Sequence, residues 1–353
     1  MRNPLFGGPE VSKDFLLSRR TFLATPLVLA ACQPGKGVIN LTGQTMGTNY
    51  TIVVVDQNRK IEKSALQSSV DAALAQVNSE LSNWDAGSEV SRLNALKTNA
   101  KTAMSPAMAA VMNGAAEVHG ATDGQFDVTM GPLIELWGFG AQGKLGAVPT
   151  DAEIEATLAK IGQSNSLTIE GNMISKSNPE AQIFLSAIGK GYGVDRIADV
   201  VRAAGATDFM VEIGGDLVTS GRNPEGQHWQ IGIESPNLAD SGLEKVARIS
   251  GMGMATSGDY RNYFEVDGQR FSHILDTKTG RPVTHKTASV SVLAENAMMA
   301  DAWATAMLVL GRDRGLEIAN QRDLAVLFLD RDENSNSLDF VQTPSARFEA
   351  LQG

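Results

Sequence analysis

Asp301 and Thr305 stand four residues apart in an otherwise uncharged run, Ala300 to Met307. On a helix that spacing turns a carboxylate and a hydroxyl to the same side. Two hard oxygens so placed suit Mg²⁺, which prefers oxygen ligands. A carboxylate among Ala, Met and Leu is costly to bury unless a cation or donor meets it. Ala300, Ala302 and Ala304 leave room for such a partner to approach, whereas the alternative places Asp301 on an exposed helix edge. His273, one of four histidines with His119, His228 and His285, precedes the turn Asp276–Gly280. An imidazole there can take a proton near neutral pH; it can equally be hydrogen-bonded only locally. Gly189, Lys190, Gly191 and Gly193 lead into an expected helix, where free amides and an ammonium suit phosphate. Their spacing is neither a dinucleotide fingerprint nor a Walker loop, and a tight turn with an incidental Lys fits them as well. Gly214-Gly215-Asp216 reads as a turn or bulge. The pairs Asp85/Ser88 and Asp123/Asp127 read as turn chemistry. Together these residues offer metal-assisted chemistry on a phosphate.

The elements that must position them follow from periodicity. A strand is expected over 48–55, then an amphipathic helix through Leu66, Val70, Leu74, Val77, Leu81 and Trp84. Ser105-Pro106 starts a helix as cap and first residue, ending near Gly120 or Gly124. Thr150 and Glu153 form a capping box before a short helix ending near Gly162. Beyond residue 165 strands dominate: a hairpin of 167–169 with 173–175, then 209–213, 229–234, 251–256, 263–266, 270–275 and 287–293. Asp267-Gly268 is a favoured hairpin turn. Helices fit 194–204, 297–310 and 312–321, with a last strand at 325–329. The fold class is α+β: mixed, largely antiparallel sheets with packed helices, in two intimate halves sharing a ligand cleft.

With 353 residues the chain can bury a large core. A net charge of −10 and no basic run argue against nucleic acid as a partner. The single cysteine, Cys32, excludes internal disulfides and cysteine metal sites. Ser18-Arg19-Arg20-Thr21-Phe22-Leu23 matches a twin-arginine export signal. The following apolar stretch ends Leu29-Ala30-Ala31-Cys32, like a lipobox. Residues 1–31 are thus expected as signal peptide, 32–39 as tether and 40–350 as the folded domain. The mature protein would be periplasmic and held to the membrane by a lipid on Cys32; a plain cleavable signal is the alternative.

The chain resembles the FAD:protein FMN transferases, the ApbE-like family, through an ordered set of segments across 40–312. They are Thr45-Met46-Gly47-Thr48, Ser82 to Asn94, Gly124 to Pro132 with Leu136-Trp137-Gly138, Ser186 to Gly191 with Asp195, Ala255 to Tyr260, and Ser272 to Gly280. Ala300 to Thr305 completes the set. The resemblance implies that FMN passes from FAD to a Thr or Ser hydroxyl of another protein, with Mg²⁺ bound and AMP released. It implies Mg²⁺ ligands at Asp301, Thr305 and the backbone of Ala187 and Ala304. It implies FAD contacts at Met46, Trp84, Phe126, Asp127, Val128, Lys190 and Ile274. His273 would be the catalytic base, with Asp276 nearby to orient or assist. The implied acceptor is a flavin-bearing subunit of a membrane redox complex of the Rnf, Nqr or Nos type. Phe184 stands where many relatives carry Asp, and Thr277 where Pro is commoner. Two other functions fit the same residues: an exported FAD carrier serving a redox complex, and an Mg²⁺-dependent FAD pyrophosphatase.

Overall fold

The computed structural model describes residues 37–140, 146–237, 242–332 and 339–352. The expected signal peptide, Cys32 and the start of the tether lie outside these residues. The first half comprises β1 (Gly37–Thr45), β2 (Thr48–Asp56), α1 (Lys63–Leu81), α2 (Glu89–Ala95), β3 (Thr102–Ala103), α3 (Pro106–Ala121), α4 (Gly131–Leu136), α5 (Asp151–Leu158) and α6 (Gln163–Ser166). Next come β4 (Leu167–Glu170), β5 (Met173–Lys176), α7 (Gly189–Ala203), β6 (Phe209–Ile213), β7 (Asp216–Ser220), β8 (Trp229–Glu234) and β9 (Leu243–Ile249). The rest is β10 (Gly253–Gly258), β11 (Tyr263–Val266), β12 (Gln269–Ser272), β13 (Thr287–Ala294), α8 (Ala297–Gln321), β14 (Ala325–Arg331), β15 (Phe340–Pro344) and α9 (Ala346–Gln352).

Eight strands form one sheet in the order β1-β2-β6-β7-β10-β13-β14-β15. Its pairings are antiparallel. The sheet is covered on both faces, and the two-residue side-chain alternation of a strand divides its apolar residues between them. Ile52, Val54, Phe209, Val211 and Ile213 pack against α1 and α7, while Val53, Val55 and Met210 meet Trp229 of the β8–β9 hairpin. Val290, Val292, Val326 and Phe328 face the α8 core; Leu293, Leu327 and Leu329 face the opposite layer with Phe348 of α9. Burial on both sides explains why these strands read as unbroken apolar runs. The halves anticipated from the sequence meet as one unit spanning the described residues.

Strand β1 begins inside the expected tether, three residues before the expected domain start. It is an edge strand whose exposed and buried positions alternate around few apolar side chains, so its sequence resembles a linker. Met46-Gly47 closes its hairpin with β2, both at positive φ (49° and 73°), as a two-residue primed turn demands. Helix α7 starts at Gly189, so the glycine-rich segment is helical. The two helices expected at 297–321 are one run kinked at Gly311 (φ 70°, ψ 172°). Among the described residues no helix is long and apolar enough to cross a membrane.

Candidate active site

The N-terminal turns of α7 and α8 cross at their glycine and alanine faces. A Cβ on Gly191 would lie 2.2 Å from the Ala297 carbonyl oxygen and 2.7 Å from Met298 Cα, so only glycine permits this approach. Asp195 fixes the crossing from the α7 side, accepting from the backbone N–H groups of Ala297 and Met298 at 2.9 Å each. Asn296 caps the same helix by accepting from Met299 N–H. These donors are the free amides of the α8 N-terminus.

The crossing brings the predicted Asp301 and Lys190 together. Asp301 is 4% exposed and accepts from Gly191 N–H at 3.1 Å. Lys190 Nζ pairs with Asp216 Oδ2 at 2.6 Å, and the Asp216 and Asp301 carboxyls influence each other's ionisation. Burial, then the neighbouring Asp216 charge, push the Asp301 carboxyl up to about 8. Burial opposes the Lys190 ammonium, but Asp216 and Asp301 outweigh it and hold its pKa above the ordinary lysine range. Two buried carboxylates against one ammonium require either a proton or a further cation. Asp216, read from the sequence as part of a turn, therefore belongs to the centre of the site. The available signal was an acidic residue opening an apolar strand directly after two glycines.

Thr305 Oγ1 lies 3.1 Å from Ser257 Oγ on β10, a contact not foreseen from the sequence. The donor set here is wholly oxygen: Asp301, Asp216, Thr305 and Ser257. Among the described residues no group of three or more His, Cys, Asp or Glu could hold a metal. Two carboxylates supplemented by hydroxyls and backbone oxygens fit a hard divalent ion such as Mg²⁺ rather than a soft one. Ala187 lies in the turn just before α7, three residues from Lys190. Ala304 is fully buried on α8, and its carbonyl belongs to the helix interior, which leaves it little freedom to ligate.

The end of β10 also leads to His273. Beyond Gly258 the chain turns through 259–262, and the Asn262 carbonyl faces His273 Nδ1 at 3.0 Å and its backbone N–H at 3.1 Å. His273 sits one residue past β12, not within the strand expected over 270–275. Its ring packs edge-on to Phe139, with centroids 6.2 Å apart. Burial holds the imidazole below its ordinary range, and Asp259 and Arg270 are the charged groups acting on it.

Among the described residues Asp276 makes no hydrogen bond to His273. One carboxylate oxygen accepts from the Lys278 and Thr279 backbone N–H groups, and the other from Gln125 Nε2 at 3.1 Å. It is the cap of the turn, and its short side chain is committed there. Thr277 Oγ1 donates to the Gly124 carbonyl, and Trp137 Nε1 to the Gly280 carbonyl. Much of the 124–138 segment thus serves to hold the turn after His273. A cavity of about 530 Å³ lies on the outer side of this turn, lined by Gln125, Asp276, Lys278, His285, Leu310 and Arg314 among others. It does not reach Lys190 or Asp301.

The expected FAD contacts divide. Phe126 and Val128 are each 2% exposed, with side chains in the core. Asp127 accepts from Thr129 N–H, Thr129 Oγ1 and Gln163 N–H, so both its oxygens are taken. The backbone of Val128 is also engaged, since its carbonyl accepts from Phe184 N–H at 2.7 Å. These three residues build the wall and present no free side chain to a ligand. Ile274 is likewise buried, in the same cluster as Ala255, Ala300 and Ala304. Met46 is half-buried, its Sδ and Cε lying over Gly193.

Trp84 is not on the α1 face that its periodicity suggested. It follows the helix end and is 67% exposed, with its ring edge-on to Phe184 at 6.4 Å. The neighbouring Asn83 sets this corner: its Nδ2 donates to the Ile183 carbonyl and its Oδ1 accepts from Leu185 N–H. Asn94 repeats the grip, donating to the Ile183 carbonyl and accepting from Ile183 N–H. The two asparagines act as a strand edge for the segment that delivers Phe184 and then α7. An exposed indole beside a half-buried phenyl, a few residues from Lys190, makes a flat apolar corner suited to an aromatic ring.

The sequence matches the ApbE family over residues 46–328. An FAD:protein FMN transferase of Vibrio cholerae is 41% identical over 307 residues, covering 87% of this chain and 92% of the relative. One of Haemophilus influenzae is 38% identical over 343 residues, covering 95% and 98%. Among solved structures, the flavin transferase ApbE from Vibrio cholerae has a TM-score of 0.82 at 38% identity, covering 89% of this chain and 99% of that one. The apo flavinyl transferase ApbE of Pseudomonas stutzeri gives 0.81 at 37% identity, covering 90% and 98%.

Proposed function

The chain belongs to the ApbE family, and from that premise we propose how its residues carry out FMN transfer from FAD to protein. The acceptor is a Thr or Ser hydroxyl: its oxygen bonds to the FMN phosphorus, the pyrophosphate bond breaks and AMP leaves. The observation that carries this reading is the buried Asp301–Asp216–Lys190 cluster, whose oxygens suit a hard cation and whose ammonium suits phosphate. Mg²⁺, when held by Asp301 and Thr305 with Asp216 beside them, supplies charge neutralisation on the phosphoryl oxygens. Lys190 binds the same oxygens as a point charge. His273 is neutral at pH 7 because burial lowers its pKa, so its unprotonated nitrogen accepts the hydroxyl proton. The Trp84–Phe184 corner holds a ring of FAD in place of the polar contact that Asp would make at position 184.

The export signal and Cys32 support a periplasmic, lipid-anchored location, with a flavin-bearing subunit of a membrane redox complex as the acceptor. The test incubates purified protein with FAD, Mg²⁺ and a periplasmic extract from cells lacking this gene. A fluorescent protein band that resists denaturation is expected, and His273→Ala should abolish it. Tight FAD binding with no covalent flavin on any protein would refute transfer. Release of AMP and free FMN without an acceptor would indicate hydrolysis instead.

A further inference from the structure

The 259–262 turn is held far more firmly than a surface loop requires. Asp259 is 7% exposed, and its Oδ1 pairs with Arg331 Nη2 of β14 at 2.5 Å. Its Oδ2 lies 3.5 Å from Arg270 Nη1 of β12, whose Nη2 also donates to the Asp259 carbonyl at 2.7 Å. Asp259 N–H donates to the Ala288 carbonyl of β13. Its carboxylate therefore ties β14 and β12 to the start of the turn, and its backbone N–H ties β13. At the far end the Asn262 carbonyl meets both His273 Nδ1 and His273 N–H.

A carbonyl oxygen can only accept, so the ring nitrogen facing it carries the proton. In the neutral ring the lone pair then sits on Nε2. Among the described residues Phe139 is the aromatic ring packed against it, and an edge contact does not choose a tautomer. The choice is made by the position of one carbonyl.

We propose that Asp259 is a positioning residue for His273: anchored by Arg331 and Arg270, it holds the 259–262 turn so that the Asn262 carbonyl takes the Nδ1 proton and leaves Nε2 as the accepting nitrogen. The inference rests on the proposed role of His273 for its importance, but not for its measurement. The tautomer is read by nitrogen NMR on the full chain labelled at histidine, with the His273 signals assigned by their loss in His273→Gln. The native protein should show a single Nδ1–H form at neutral pH. Asp259→Asn keeps the shape but removes the charge, and should populate both tautomers. Asp259→Glu, which retains a carboxylate for the two arginines, should restore the native form in part. If Asp259→Asn does not fold, Arg331→Met breaks the same anchor from the other side and carries the same expectation.

Transfer is measured on the same preparations with FAD, Mg²⁺ and the acceptor extract. The rate should fall about tenfold or more, with the full contribution of a placed acid–base group, about 10²–10⁴, as the ceiling, while the FAD Kd stays within about twofold. A folded Asp259→Asn that keeps the single native tautomer overturns the proposal, whatever its transfer rate. A changed tautomer with undiminished transfer upholds the positioning and removes His273 from its proposed role as base.

Discussion

Gly189, Gly191 and Gly193 lie in one helical turn and look alike in the sequence, yet alanine should affect each differently. At Gly191 the added Cβ would sit 2.2 Å from the Ala297 carbonyl oxygen and 2.6 Å from its carbon. These are backbone atoms and cannot rotate away. Restoring ordinary contact at about 3.4 Å parts α7 from α8 by about 1.2 Å. The Gly191 N–H to Asp301 bond, 3.1 Å in the native fold, is then stretched beyond hydrogen-bonding range. Overpacking costs about 1–3 kcal/mol and the lost bond to a carboxylate about 1.5–3 kcal/mol. Alanine's helix preference returns about 1 kcal/mol. The net expectation is a loss of about 1.5–5 kcal/mol and a Tm lower by roughly 2–8 °C. At Gly189 the new Cβ meets only Leu185 Cβ at 3.6 Å, an ordinary contact. Gly189→Ala should therefore be neutral or stabilising by up to about 1 kcal/mol. Gly193→Ala meets the flexible end of Met46 at 2.5 Å and should fall between. Urea and thermal unfolding give the stability order, and FMN transfer should be lost in Gly191→Ala alone. If Gly191→Ala matches Gly189→Ala in both stability and transfer, the account of the α7–α8 crossing is wrong.

Three further outcomes are expected. Asp216→Asn removes the ion pair of Lys190, leaving Asp301 and Glu212 as acidic charges acting on it, and should raise the Mg²⁺ concentration for half-maximal transfer about 10- to 100-fold; an unchanged metal requirement would place Asp216 outside the centre. Asn94→Ala removes both bonds to Ile183 and should cost about 1–3 kcal/mol, measured by the urea midpoint with the slope unchanged. For Asp195, burial raises the folded pKa from 3.8 to about 6 against the pull of its two amide bonds. Its proton-linked stabilisation is thus full below about pH 3.8 and lost as pH rises through 6. Compared with Asp195→Asn, the native chain should lose at most about 3 kcal/mol of relative stability between pH 4 and 7. A flat difference across that range would contradict the burial of this carboxyl.

Local signals were legible wherever one segment settles its own structure. The Ser105 cap with Pro106, the Thr150–Glu153 capping box and the Asp267-Gly268 turn all appear as the sequence indicates. Asp301, Thr305 and Lys190 were identifiable because a charge or hydroxyl amid alanine and glycine calls for a partner. What α1 periodicity said of Trp84 was misleading, since the helix ends three residues earlier and the indole turns outward. β1 and β15 were invisible because edge strands need apolar residues on fewer positions.

The partners themselves were decided only by tertiary structure. Asp216 meets Lys190 from 26 residues away, Ser257 meets Thr305 across 48, and Asn83 reaches Leu185 across 102. Sequence spacing carries information over a helical turn or a hairpin, where the backbone dictates which side chains are neighbours. Across such separations neighbours are chosen by sheet order and helix crossing. The partners of Asp216, Asp276 and Asp259 emerge only once the sheet has formed.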